Sequence, residues 1–276
     1  MNHAIALTTF ATLFTSACSR DSSDAKPRST SQSATTSAST AASPPATIAT
    51  PKEDWIALRI ANTRTSIRAL MPHGENAHAP AIVMLGGICA HAGWVCASAF
   101  EHAGNGHAFL CPQPTGYCSD GTPTWIPIVG GNDAFIDATV ETAEKMYPNA
   151  FNFDDAILAG FSRGGWIAAQ YAMAHRKYRK LLLSSIEVAL DAKKLRDNGV
   201  ERVLLTANVH DGSRFALQST AAKLNAAGLP ARFFGTGGGN DAHAFEPTEA
   251  WWNEAYRWFS GEQTEGNPAV PPLVSR

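Results

Sequence analysis

"DAILAGFSRGGWIAAQYAMAHR" (155–176) passes from an apolar run, through a serine flanked by glycines, into a stretch with helical character. Ala156 to Ala159 carry only apolar side chains, as expected of a strand covered on both faces. "RGGWIAAQYAMAHR" (163–176) reads as a helix. Between them, Gly160-Phe161-Ser162-Arg163-Gly164 is a G-x-S-x-G pattern. Alone the pattern is weak, because both residue types are common, and an idle serine in a glycine-rich turn would satisfy it. Its setting adds weight. A buried strand leads in, a helix leads out, and glycines relieve crowding where a strained turn would present the Ser162 hydroxyl at the carboxyl end of a sheet.

Elements on either side extend this into a layered fold. "WIALRIA" (55–61) and "TSIRALM" (65–71) predict an antiparallel hairpin, and "PAIVMLGG" (80–87) a strand buried on both faces. Helices are expected near 92–103, 133–147, 163–176, 191–197, 213–227 and 247–259. Further strands are expected at "HAFLCP" (107–112), "KLLLSS" (180–185), "ERVLLTAN" (201–208) and "ARFFGT" (231–236), with a long loop over 111–131. Repeated strand and helix after a hairpin imply an α/β fold: a mainly parallel sheet with helices on both faces.

A serine hydroxyl needs a base to take its proton, and the base needs an acid to orient it. Asp211 follows a predicted strand in "VHDG", and His243 follows the last predicted strand in "GGGNDAHAF" (237–245). Loops at strand carboxyl ends gather catalytic groups. Asp211 could instead cap the helix near Ser213. Glu187 is the alternative acid, and His210 and His91 are alternative bases. Asp241, two residues from His243, suits the turn itself. Stabilising the oxyanion needs inward-pointing backbone N–H groups. "MLGGICAHAG" (84–93) offers those of Gly87 and Ile88, and the residue after the serine offers that of Arg163. A glycine pair that only ends a strand is the bland alternative.

Together, the G-x-S-x-G turn, the glycine-rich loop after the third strand, the late acid and the last histidine resemble the α/β-hydrolase family over residues 52–260. "NDAFIDATVETAEKMYPNAFNFDDAILAGFSRGG" (132–165) looks like the polyhydroxybutyrate-depolymerase and feruloyl-esterase branch, and "GGNDAHAF" (238–245) is similar to dienelactone-hydrolase-like members. The resemblance implies a serine esterase with Ser162 as nucleophile, His243 as base, Asp211 as orienting acid, and Gly87, Ile88 and Arg163 around the oxyanion. It implies no cofactor and no metal. A peptidase or lactonase could use the same apparatus, and so could a non-catalytic binding protein keep the same scaffold.

Only about sixteen residues separate "KLLLSS" from "ERVLLTAN", so no large cap domain fits there. The segment "CPQPTGYCSDGTPTWIPIVGG" (111–131) is the candidate pocket wall, with Tyr117 and Trp125 as substrate contacts and a staple between Cys111 and Cys118. The substrate is expected to be a small-molecule or oligomeric ester. Nucleic acid is not an expected partner, because the net charge is −2 and no basic cluster interleaves with aromatics.

The remaining signals concern export. "MNHAIALTTFATLFTSAC" (1–18) is a short apolar stretch with the length of a signal h-region rather than a membrane span. "TSAC" (15–18) resembles the lipobox of bacterial lipoproteins, which makes Cys18 a candidate lipidation site and sole membrane contact. Residues 18–51, mostly Ser, Thr, Ala and Pro, read as a tether, residues 52–262 as the folded domain and 263–276 as a tail. Cys89, Cys96, Cys111 and Cys118 form an even cluster suited to two disulfides in an exported protein, with three connectivities open. The expected location is the periplasm or cell exterior.

Overall fold

Strands that are apolar on both sides need cover on both sides, and the architecture follows from that requirement. The computed structural model describes residues 55–59, 66–70, 79–91, 96, 97, 99, 108–237 and 243–262. The signal, Cys18, the tether, Asp241 and the 263–276 tail lie outside these residues. Strands are β1 (Trp55–Arg59), β2 (Ser66–Leu70), β3 (Ala79–Leu85), β4 (Ala108–Pro112), β5 (Gly116–Tyr117), β6 (Pro123–Thr124), β7 (Phe151–Phe161), β8 (Lys180–Ser184), β9 (Arg202–Asn208) and β10 (Ala231–Thr236). Helices are α1 (Asp133–Met146), α2 (Arg163–Ala174), α3 (Ala192–Asp197), α4 (Arg214–Ala226) and α5 (Glu249–Ser260). Cys96, Ala97 and Ala99 are also helical.

Eight strands form one sheet in the order β1-β2-β4-β3-β7-β8-β9-β10. β1, β2 and β4 pair antiparallel, and every pairing from β4 to β10 is parallel. Alternation along each strand divides the core. On β3 and β4, Ala81, Val83, Leu85 and Leu110 face a cluster that includes Ile136 and Val140 of α1, Ile167 and Tyr171 of α2, and Leu217 and Leu224 of α4. Ile82, Met84, Phe109 and Cys111 face the other side, against Cys96, Ala99 and Trp251, Trp252 and Phe259 of α5.

That alternation explains two corrections. The 111–131 segment is not a plain loop: β5 and β6 form a separate antiparallel ribbon within it. Its expected Cys111–Cys118 staple is also absent. The disulfides are Cys96–Cys111, with Cα atoms 6.2 Å apart, and Cys89–Cys118, at 5.8 Å. Cys111 points to the face covered by the helix bearing Cys96. The chain then crosses over, so that Trp125 joins the opposite cluster, and Cys118 meets the loop after β3 instead.

Candidate active site

β7 ends at Phe161, and the chain reverses into α2 within one residue. Ser162 occupies that residue with φ 52° and ψ −122°, a conformation that L side chains seldom adopt. Its N–H donates to Ser184 O at 2.8 Å, which ties the turn to β8. The turn closes because two positions lack side chains. A Cβ on Gly160 would overlap the Gly164 backbone, and one on Gly164 would overlap the carbonyl oxygens of Leu85 and Gly86. The ends of β7 and β3 and the start of α2 therefore meet backbone against backbone.

The parallel arrangement carries Asp211, beyond β9, and His243, beyond β10, to the same edge. His243 Nε2 lies 2.9 Å from Ser162 Oγ, and its Nδ1 lies 2.9 Å from Asp211 Oδ2. The imidazole packs on Phe161, ring centroids 5.2 Å apart. Its side chain is 54% exposed, whereas that of Asp211 is 3% exposed. An open ring thus stands in front of a buried carboxylate.

Asp211 serves the turn and the histidine with different oxygens. Oδ1 accepts from the Ser213 N–H at 2.8 Å and from the Ser213 hydroxyl at 2.6 Å, leaving Oδ2 for His243. Burial pushes the Asp211 carboxyl up, but hydrogen bonds from Ser213, Ser185 and His243 outweigh it and hold the group below its ordinary value. An ionised carboxylate only accepts, so the Nδ1 facing it carries the ring proton. Nε2 then presents its lone pair to the serine hydroxyl.

The alternative acid and bases do not join this line. Glu187 and His210 are exposed, the His210 N–H donating to Asn208 Oδ1, while His91 borders the cleft. Ser185 and Ser213 were not singled out in the sequence. Nothing but their position after strands β8 and β9 marks them.

The chain superposes as a whole on known solved structures. Esterase PE8 superposes with a TM-score of 0.51 at 16% identity, over 73% of this chain and 100% of that one. The fluorophosphonate-binding serine hydrolase F of Staphylococcus aureus gives 0.54 at 14%, over 75% and 97%. Esterase B from Lactobacillus rhamnosis gives 0.53 at 15%, over 76% and 87%. The fold is that of the α/β-hydrolases. No protein-family model matches the sequence, and no curated protein does either.

Two cavities open on Ser162. One, of ≈ 350 Å³, is bordered by Gly87, Ile88, Cys89, His91, Phe161 and His243. The other, of ≈ 360 Å³, is bordered by Ile88, Pro127, Arg163, Trp166 and Ile186. Among the described residues, the backbone N–H groups of Gly87, Ile88 and Arg163 make no hydrogen bond within the chain.

Trp125 does not contact substrate space. It is fully buried, and its Nε1–H donates to Gly86 O at 2.8 Å. A trans peptide points its C=O and N–H in opposite directions, so this bond sets where the Gly87 N–H aims. Tyr117 is 72% exposed and borders neither cavity. The apolar walls instead include Trp166, four residues beyond Ser162 on the first turn of α2, and Ile186, just past β8. Their signal in the sequence was only their distance from the serine and from a strand end.

Proposed function

We propose that this protein is a serine hydrolase that cleaves carboxylic esters through a covalent acyl-enzyme. The observation that carries the reading is the unbroken line from Ser162 Oγ through His243 to the buried Asp211, at 2.9 Å on each side. Ser162 Oγ attacks the ester carbon while its proton passes to His243 Nε2. Asp211 stabilises the imidazolium, and the N–H groups of Gly87, Ile88 and Arg163 receive the negative oxygen. The alkoxide leaves with the proton from His243. Water then attacks the acyl carbon, gives a proton to His243 and releases the acid, and the proton returns to Ser162. The structural likeness to esterases and serine hydrolases supports this reading at the level of fold.

Two disulfides support an oxidising compartment, periplasmic or extracellular, and the apolar leader and the lipobox-like "TSAC" (15–18) fit the same reading. Reaction with a fluorophosphonate probe, together with turnover of short-chain esters, tests the proposal. Labelling at Ser162 and turnover that both vanish in Ser162→Ala are the expected results. An unlabelled protein without turnover would instead be a binding protein on a hydrolase scaffold.

A further inference from the structure

Among the described residues, Arg163 is the one charged side chain bordering the ≈ 360 Å³ cavity, whose other walls, apart from Ser162, are Ile88, Pro127, Trp166 and Ile186. It is only partly exposed, and among the described residues no carboxylate lies within ion-pair distance of it. Two arginines elsewhere in the fold contrast with it: Arg179 pairs with Glu201, and Arg257 with Glu254 and Glu262. A guanidinium held beside apolar walls without a counter-ion loses hydration that an incoming anion would restore.

The two cavities have different chemical duties. His243 borders the ≈ 350 Å³ cavity and must hand its proton to the departing oxygen, so the alcohol part belongs there. The acyl part then extends into the cavity of Arg163, Trp166 and Ile186. We infer that the preferred substrates are esters whose acyl chain has an apolar middle and a terminal carboxylate, that is, monoesters of dicarboxylic acids. Arg163 receives the free carboxylate, while Trp166, Ile186 and Pro127 cover the methylenes. Hydrolysis consumes one water and releases the alcohol and the dicarboxylic acid. The inference rests on the serine-hydrolase reading.

The test compares monoethyl adipate with ethyl hexanoate, which match in acyl length and differ in the terminal charge, by pH-stat on wild type, Arg163→Gln and Arg163→Lys. The readout is the ratio of kcat/KM for the anionic ester to that for the neutral one, so a general loss of activity or a partly unfolded fraction cancels. In wild type the ratio is expected to exceed unity. In Arg163→Gln it is expected to fall by about 10-fold or more, as loss of a charged hydrogen bond predicts, with KM for the anionic ester rising most. Arg163→Lys should restore part of the ratio. A wild-type preference for ethyl hexanoate, or a ratio unmoved by Arg163→Gln, overturns the inference while leaving the esterase intact. Absence of turnover of both esters and of fluorophosphonate labelling at Ser162 would overturn the parent reading, and this one with it.

Discussion

The middle of the sheet and its carboxyl edge are built by opposite rules. In the middle, Ile82 to Met84, Leu181 to Leu183 and Val203 to Leu205 are fully or almost fully buried and aliphatic or sulfur-bearing, and pair in unbroken register. At the edge, β8 and β9 run out through Ser184, Ser185, Thr206, Asn208 and Asp211, polar yet buried. Of the four described non-glycine residues with positive φ, Cys89, Ser162 and Ser185 follow β3, β7 and β8, and only Asn149 lies elsewhere. Strain and buried polarity therefore concentrate where a regular core holds them in place. The lesson is that the sheet supplies rigidity and the rim uses it.

The sharpest way to break this contrast is to remove charge at the rim without touching the core. Asp211→Asn is expected to lower kcat for ester hydrolysis roughly 10⁴-fold, because the amide no longer holds the imidazole with its proton on Nδ1. Steady-state kinetics, with circular dichroism as a control for folding, checks it. The same residue carries a pH signature. Its folded pKa lies below the unfolded value of about 3.9, so ionised Asp211 contributes stability above that pH and loses it as pH falls through the folded value. Urea midpoints measured down to acid pH should fall less steeply in Asp211→Asn than in wild type.

Next in size is a change that forces the core and rim apart. Gly164→Ala puts a methyl group against the carbonyls of Leu85 and Gly86, which are backbone and cannot swing away. It is expected to destabilise the fold by roughly 4 kcal/mol or to abolish soluble expression, as read by thermal melting.

The two disulfides sharpen the comparison, since one belongs to each region. Cys96 and Cys111 are fully buried, while Cys89 is exposed and borders the cleft and Cys118 is half-buried. Replacing Cys96 and Cys111 together by Ala should reduce stability by about 3 kcal/mol, measured by denaturant titration. Replacing Cys89 and Cys118 together should reduce kcat roughly 10-fold, because the loop that aims the Gly87 and Ile88 N–H groups is no longer tied to the β5–β6 ribbon. If the second pair left kcat unchanged, the bridge would be structural only.

The smallest expected effect tests whether a core residue reaches the rim. Trp125→Phe keeps the packing and removes the bond to Gly86 O, and kcat should drop a few-fold, equivalent to about 1 kcal/mol. A melting temperature that changes while kcat does not would confine Trp125 to the core.

What could be read from the chain follows the same division. Strands β3, β7, β8, β9 and β10 were legible because burial on both faces demands continuous apolar runs, and the hairpin β1–β2 because short β-rich runs flank a polar break. Ser162, Asp211 and His243 were legible as strand-end residues in the right order, and parallel strands bring such positions to one edge. Side-chain direction in irregular segments was not legible. Trp125 sits in a stretch without periodicity, so nothing in the sequence showed that it turns inward. Cysteine pairing depends on which face of β4 Cys111 occupies and on where the chain recrosses the sheet, and spacing does not encode either. Trp166 and Ile186 read as ordinary apolar residues until the turn at Ser162 is built.

The cysteine arrangement also bears on how the chain acquires its bridges. The pair 96–111, separated by 15 residues, is nested inside the pair 89–118, separated by 29. Closing the inner ring roughly halves the path between the outer thiols, which eases the entropy of joining them by about 0.6 kcal/mol. Oxidation that begins inside the core thus prepares the clasp that holds the mouth of the cleft.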